Sequence, residues 1–194
     1  MKKLYLLSRE VLLAWFFVLG TSAVQAATVY RYTGNNFEQI QGTLYDTSMS
    51  VNGSFTTEAP LTDFNGDASS LITQFSYFDG VNTLTGMNAG VFLRLTTDNL
   101  GNITDWFIDI NNSDQITAGD PYFSISSSDS FDVGITGECG LADSSGCGVF
   151  IIDQQGLVGG NPGGWNVVPI PPVIYLFGSG LVGLVAMARR RTQS

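Results

Sequence analysis

The chain has 194 residues and no histidine, with 8 Lys+Arg against 17 Asp+Glu and a charged fraction of 13% beside a hydrophobic fraction of 44%. That length suits one ordinary domain, and without imidazole no Ser-His-Asp or Cys-His nucleophile and no histidine-dependent zinc site can be built. Between Ala27 and Val168 only Arg31 and Arg94 offset 16 acidic residues, a balance of −14. Such a body has no lysine for a Schiff base or phosphate cradle, and it repels nucleic acid and anionic membrane surfaces.

The first 26 residues read as a secretory signal. Lys2, Lys3 and Arg9 supply a positive start, Val11 to Leu19 is an unbroken apolar run, and Gly20 to Ala26 ends in small residues. The pattern predicts cleavage by signal peptidase between Ala26 and Ala27, and the run is too short for a spanning helix of about 20 residues.

From 27 to 153 the apolar residues recur with a period near two, the signature of strands. Met49, Val51 and Phe55 alternate with polar neighbours, as do Val91, Leu93 and Leu95, then Trp106, Ile108 and Ile110, then Phe131, Val133 and Ile135. Turn-formers separate them: Asn65-Gly66-Asp67, Asp79-Gly80, the run from Asp98 to Asn102, and Asn111 to Asp114. The segments 91–97 and 103–110 form the clearest hairpin. No stretch carries helical apolar spacing, so the body is predicted to be all-β, an antiparallel β-sandwich of jelly-roll-like order. Its aromatic core supply would be Phe55, Phe75, Phe78, Phe92, Trp106, Phe107, Phe123 and Phe131. Residues 154–167 are glycine-rich and read as a linker, with Trp165 able to dock back onto the sheet.

Four constellations invite a chemical reading. Cys139 and Cys147 are the only cysteines, and an exported chain favours a disulfide between them. Asp109, Asn111, Ser113 and Asp120 place oxygens at calcium-loop spacing. Position 6 is Asp114 where a glycine normally turns, so a polar loop is the competing interpretation; Asp63, Asn65 and Asp67 form a weaker cluster of the same kind. No other cofactor is implied. Paired carboxylates for glycan hydrolysis would need a cleft in which two acids converge, one with a raised pKa. A carbohydrate-binding module would need surface aromatics such as Tyr77, Tyr122 or Trp165 aligned on one face.

At the C-terminus stand Val168-Pro169-Ile170-Pro171, then 16 uncharged residues from Val173 to Ala188, then Arg189-Arg190-Arg191. A helix over 173–188 would cover about 24 Å, the prolines hold the preceding segment extended, and the arginines fix the far end in the cytoplasm. This tail resembles a PEP-CTERM sorting signal, a Pro-rich motif followed by a short spanning helix and a basic cluster; Ile170 stands where that signature has glutamate. The resemblance covers residues 168–194. It implies recognition by an exosortase, transient anchoring in the inner membrane of a Gram-negative producer, and delivery to the cell surface or extracellular matrix. The expected role is structural or adhesive within a biofilm, without catalysis, with extracellular polysaccharide as a possible partner and no nucleic acid.

Overall fold

The alternating stretches fold as strands in a computed structural model that describes residues 27–143 and 146–169. The predicted signal segment 1–26 with Ala26, the motif residues Ile170 and Pro171, the predicted helix 173–188 and Arg189, Arg190 and Arg191 lie outside the described residues. Within them no helix is long and apolar enough to cross a membrane.

The strands are β1 (Thr28–Asn36), β2 (Gln39–Gln41), β3 (Ser50–Thr57), β4 (Asn65–Asp67), β5 (Ile72–Phe78), β6 (Thr83–Thr85), β7 (Gly90–Thr97), β8 (Ile103–Asn111), β9 (Pro121–Ser128), β10 (Phe131–Asp143), β11 (Gly146–Gly159) and β12 (Gly164–Pro169). One sheet runs β12-β1-β3-β5-β6, the other β2-β11-β10-β9-β8-β7-β4. All the pairings are antiparallel. The hairpin legible in the sequence is β7–β8, with Leu93 opposite Ile108 and Val91 opposite Ile110.

Strand alternation turns one side of each sheet inward, and Tyr30, Tyr32, Val51, Phe55, Tyr77 and Leu84 of the first sheet share a buried cluster with Leu93, Leu95, Ile108, Ile110 and Ile125 of the second. The largest buried side chains here are tyrosines. Phe78, Phe92 and Phe107, expected inside, are exposed, because their registers point them to the outer faces. The strand order also departs from a jelly roll. Strands β7 to β11 follow one another as a meander, and short β2 and β4 cross to pair with its two outer strands.

The predicted linker 154–167 is replaced by structure. Residues 154–159 complete β11, and β12 pairs along β1 from Thr33↔Gly164 to Thr28↔Pro169. Glycine richness is reconciled with strand here by close packing: a side chain on Gly156 would enter the ring of Phe37, and one on Gly163 would meet the carbonyl of Thr33. Trp165 does dock, packing against the core.

Candidate functional site

Two buried carboxylates tie the sheets together. Asp132 of β10 is 0% exposed and takes the hydroxyl of Tyr32 from β1 at 2.7 and 2.8 Å to its two oxygens. That hydroxyl in turn accepts the N–H of Gly163 at 2.7 Å. Around it stand Trp165, its ring centroid 5.0 Å from Tyr32, and Trp106, 5.8 Å from Tyr32, whose Nε1 donates to Ser127 Oγ at 2.9 Å. Burial pushes the Asp132 carboxyl above its ordinary value, against hydrogen bonds from Ser127 and Tyr32 that pull it down. Burial first, and the neighbouring carboxylate second, hold the Tyr32 phenol protonated far above its usual range.

Asp79, also 0% exposed, follows β5 and is fully engaged. It accepts the N–H groups of Val81 and Asn82 at 2.9 and 2.7 Å and the hydroxyl of Tyr45 at 2.7 Å. The Tyr45 oxygen lies 3.1 Å from Thr136 Oγ1 of β10. A carboxyl with a raised pKa is what a general acid needs. Asp132, however, is closed to solvent and bonded to Tyr32 of the facing sheet, so the pair Tyr32–Asp132 clamps the two sheets.

The outward side of the seven-stranded sheet has different chemistry. Phe92 of β7 and Phe107 of β8 are 45% and 40% exposed with ring centroids 6.2 Å apart. Asn65, Arg94, Asp105 and Phe107 line a shallow cleft of about 280 Å³. Beside them Asp109 accepts hydrogen bonds from Ser126 at 2.9 Å, Asn111 at 3.1 Å and Ser124 at 3.3 Å. Exposed rings flanked by a guanidinium, carboxylates and hydroxyls suit a flat, hydroxyl-bearing ligand.

A third feature is the outer part of the β10–β11 hairpin. Cys139 and Cys147 are disulfide-bonded across it, with Cα atoms 5.8 Å apart. Beyond the bridge, Gly148 to Asp153 are exposed without a break, and Leu141 opposite Val149 is exposed as well. The ring of Phe150 stacks 4.0 Å from that of Tyr122.

The sequence candidates are distributed differently from their spacing. Asp109 faces β9, Asn111 accepts the N–H of Ser113, and Asp120 takes the N–H and hydroxyl of Thr117. Asp109, Asn111 and Ser113 are thus linked in one hydrogen-bonded chain, Asn111 Nδ2 donating to Asp109 and Ser113 Oγ to Asn111 Oδ1, while Asp120 turns to Thr117; no group of three acidic or thiol side chains stands together as metal ligands among the described residues. In the weaker cluster Asp67 accepts the N–H of Ser69, while Asp63 is bonded through its backbone to Asp98. Tyr77 and Tyr122 are buried and Trp165 is wedged among Tyr32, Phe55 and Trp106, so the aromatics named for a glycan platform pack inside. The exposed ring pair is instead Phe92 and Phe107, which the sequence places in the core; their alternation with Leu93 and Ile108 is the signal that separates the faces. Of the sorting motif, Val168 and Pro169 end β12, paired with Val29 and Thr28; proline is tolerated because β12 is an edge strand. Ala27 directly precedes β1.

Comparison with protein-family models, with curated proteins and with solved structures finds no match to this chain.

Proposed function

We propose that the chain is an exported, non-catalytic surface or extracellular-matrix protein. Its body would be a meander-type β-sandwich sorted by an exosortase-type system through the tail, with a structural or adhesive role in extracellular polymeric material. The observation that carries this reading is the division of chemistry between inside and outside. The carboxylates with the most unusual environments, Asp132 and Asp79, are sealed and bonded to tyrosines. The surface offers rings, hydroxyls and an apolar, disulfide-pinned hairpin. The disulfide fits an oxidising destination. Burial of Asp132 weighs against a carboxylate-based glycan hydrolase. A carbohydrate-binding module remains the second reading, moved from Tyr77, Tyr122 and Trp165 to the Phe92–Phe107 face, because that exposed ring pair lies beside Arg94 and Asp105.

Intact-mass measurement of the protein recovered from envelope and medium of the producing cells tests the sorting part. The expected species begins at Ala27 and ends between Pro169 and Pro172, a cut that spares β12. A cut upstream of Gly164 would strip the first sheet of its edge strand and is not expected. A chain recovered only with its tail complete to Ser194 would overturn processing and leave a resident anchor.

A further inference from the structure

Four polar side chains around the shallow cleft of the seven-stranded sheet are uncommitted. Asn65 of β4, Arg94 and Thr96 of β7 and Asp105 of β8 line it together with Phe107. None of the four side chains makes a hydrogen bond or ion pair among the described residues. The adjoining carboxylates are engaged instead, Asp109 by Ser124, Ser126 and Asn111, and Asp67 by the N–H of Ser69. Strand register assembles the group. Thr96 stands between Asn65 and Asp105, and Arg94 stands between Asp67 and Phe107. Phe92 is the next outward residue along β7, its exposed ring 6.2 Å from that of Phe107.

We infer that this cleft binds an uncharged polysaccharide, one sugar ring lying on Phe107 and Phe92 while Arg94 donates to its hydroxyls and Asp105 accepts from them. The inference rests on the carbohydrate-binding reading above and names the class of glycan and the groups that grip it. The chemistry of the cleft selects the occupant. An apolar ligand would shut Arg94 and Asp105 away from water without partners, which is costly. A polyanion, whether a uronate polymer or a nucleic acid, meets Asp67, Asp105 and Asp109 against a single guanidinium, on a body whose balance is −14. A second copy packed on the same face about a two-fold axis sets those carboxylates against each other. A peptide strand finds no free backbone, because β7 and β8 are each paired on both sides. A neutral sugar ring meets all these conditions. Its C–H face covers the phenylalanines, and its adjacent hydroxyls return a hydrogen bond to each group they cover. The planar fork of Arg94 matches two neighbouring oxygens at once, and Asn65 and Thr96 both donate and accept. Because the cleft is shallow and Phe92 extends it along the face, a polymer of repeating rings is held where a single small sugar is not.

The test takes the full chain from producing cells and measures its binding to immobilised mixed-linkage β-glucan, galactomannan and dextran, all neutral, and to alginate, a polyuronate. Binding is expected to at least one neutral polymer and not to alginate. The affinity should hold within about twofold from low to high salt, since no ion pair forms with the ligand. Phe107→Ala and Phe92→Ala, at exposed positions, should each weaken binding about tenfold. Asn65→Arg, which fills the cleft from an exposed position on the short edge strand β4, gives the same reading should loss of a ring disturb the sheet. Arg94→Lys keeps the charge but loses the fork and should weaken binding several-fold, whereas Arg31→Lys, at the other cation of the body, should leave it unchanged. Failure of the parent chain to bind any of the four polymers would overturn this proposal together with the carbohydrate-binding reading. Preference for alginate, a steep loss of affinity with salt, or binding that survives both ring substitutions and Asn65→Arg would overturn the neutral-glycan site alone, as would an effect of Arg31→Lys equal to that of Arg94→Lys.

Discussion

Gly53 stands directly opposite Tyr77 across the β3–β5 ladder, and the tyrosine ring lies where a glycine side chain would be, within 2.3 to 2.7 Å of an added Cβ. The ring covers the glycine and fills the core in one move, so neither residue can change size alone. Gly53→Ala should overpack this contact and cost about 1–3 kcal/mol, read as a lower denaturation midpoint at unchanged slope. Residue-scale reading of the sequence fails at this kind of site. Phe131, Val133 and Ile135 are the apolar set of β10, yet Asp132 is the residue that points at Tyr32, and Gly134 is the one overlain by Asp79. Periodicity assigns a face by hydrophobicity, and no pattern within one strand announces a carboxylate whose tyrosine partner is 100 residues away.

The hairpin β10–β11 is the longest element pair, and its outer half leaves the two-sheet core. Its local order rests on the ladder, on the bridge, on the Phe150–Tyr122 stack and on the approach of Gly146 to Ser113 and Asp114. Cys139→Ser with Cys147→Ser should cost about 2–3 kcal/mol, since the closed loop of 8 residues' separation restricts the unfolded chain by roughly that amount. Hydrogen exchange should rise first at Glu138 to Ile152 and leave β7 and β8 unchanged; uniform loss across both sheets would contradict this view of the arm. At this scale much was legible. The strands around Val51, Leu93, Ile108 and Val133, the β7–β8 turn and the cysteine pairing all follow from alternation, turn residues and cysteine count. What escaped was β12 and the second half of β11, because glycine is poor in strand propensity and reads as linker unless the aromatic ring packed on it is known. The apolar run Val149 to Ile152 carried a signal of its own, since absence of alternation in a short strand means that both faces share one environment. The sequence does not say whether that environment is core or solvent.

Across the whole molecule, the buried phenols set the response to pH. Burial raises Tyr30, Tyr32, Tyr45 and Tyr77, with Asp132 adding to the shift of Tyr32 and Tyr77 and Asp79 to that of Tyr45. A phenol raised in the native state keeps its proton after the unfolded chain has lost it. Its contribution is thus complete below about pH 10 and lost as pH climbs above that value. Asp132, raised from its ordinary 3.8, contributes fully in acid and less as pH rises through its native pKa. Asp46, Asp67, Asp98 and Asp120 are lowered by turn hydrogen bonds and act oppositely, losing their contribution as pH falls. Tyr77 separates these effects, because its hydroxyl is buried without a hydrogen-bond partner among the described residues. Tyr77→Phe should raise stability by about 1 kcal/mol near neutrality, and by more in alkali, where one phenol that resists ionisation is gone. Urea midpoints followed from neutral to strongly alkaline pH measure both; a Tyr77→Phe protein weaker than the parent at every pH would refute the assignment.

The clasp of Thr28 with Pro169 joins the first described strand to the last. The first sheet therefore lacks its edge, and the core lacks the indole of Trp165, until nearly all of the body has been synthesised. Contacts of such long sequence separation form slowly, so the body acquires its final shape only after its last strand arrives.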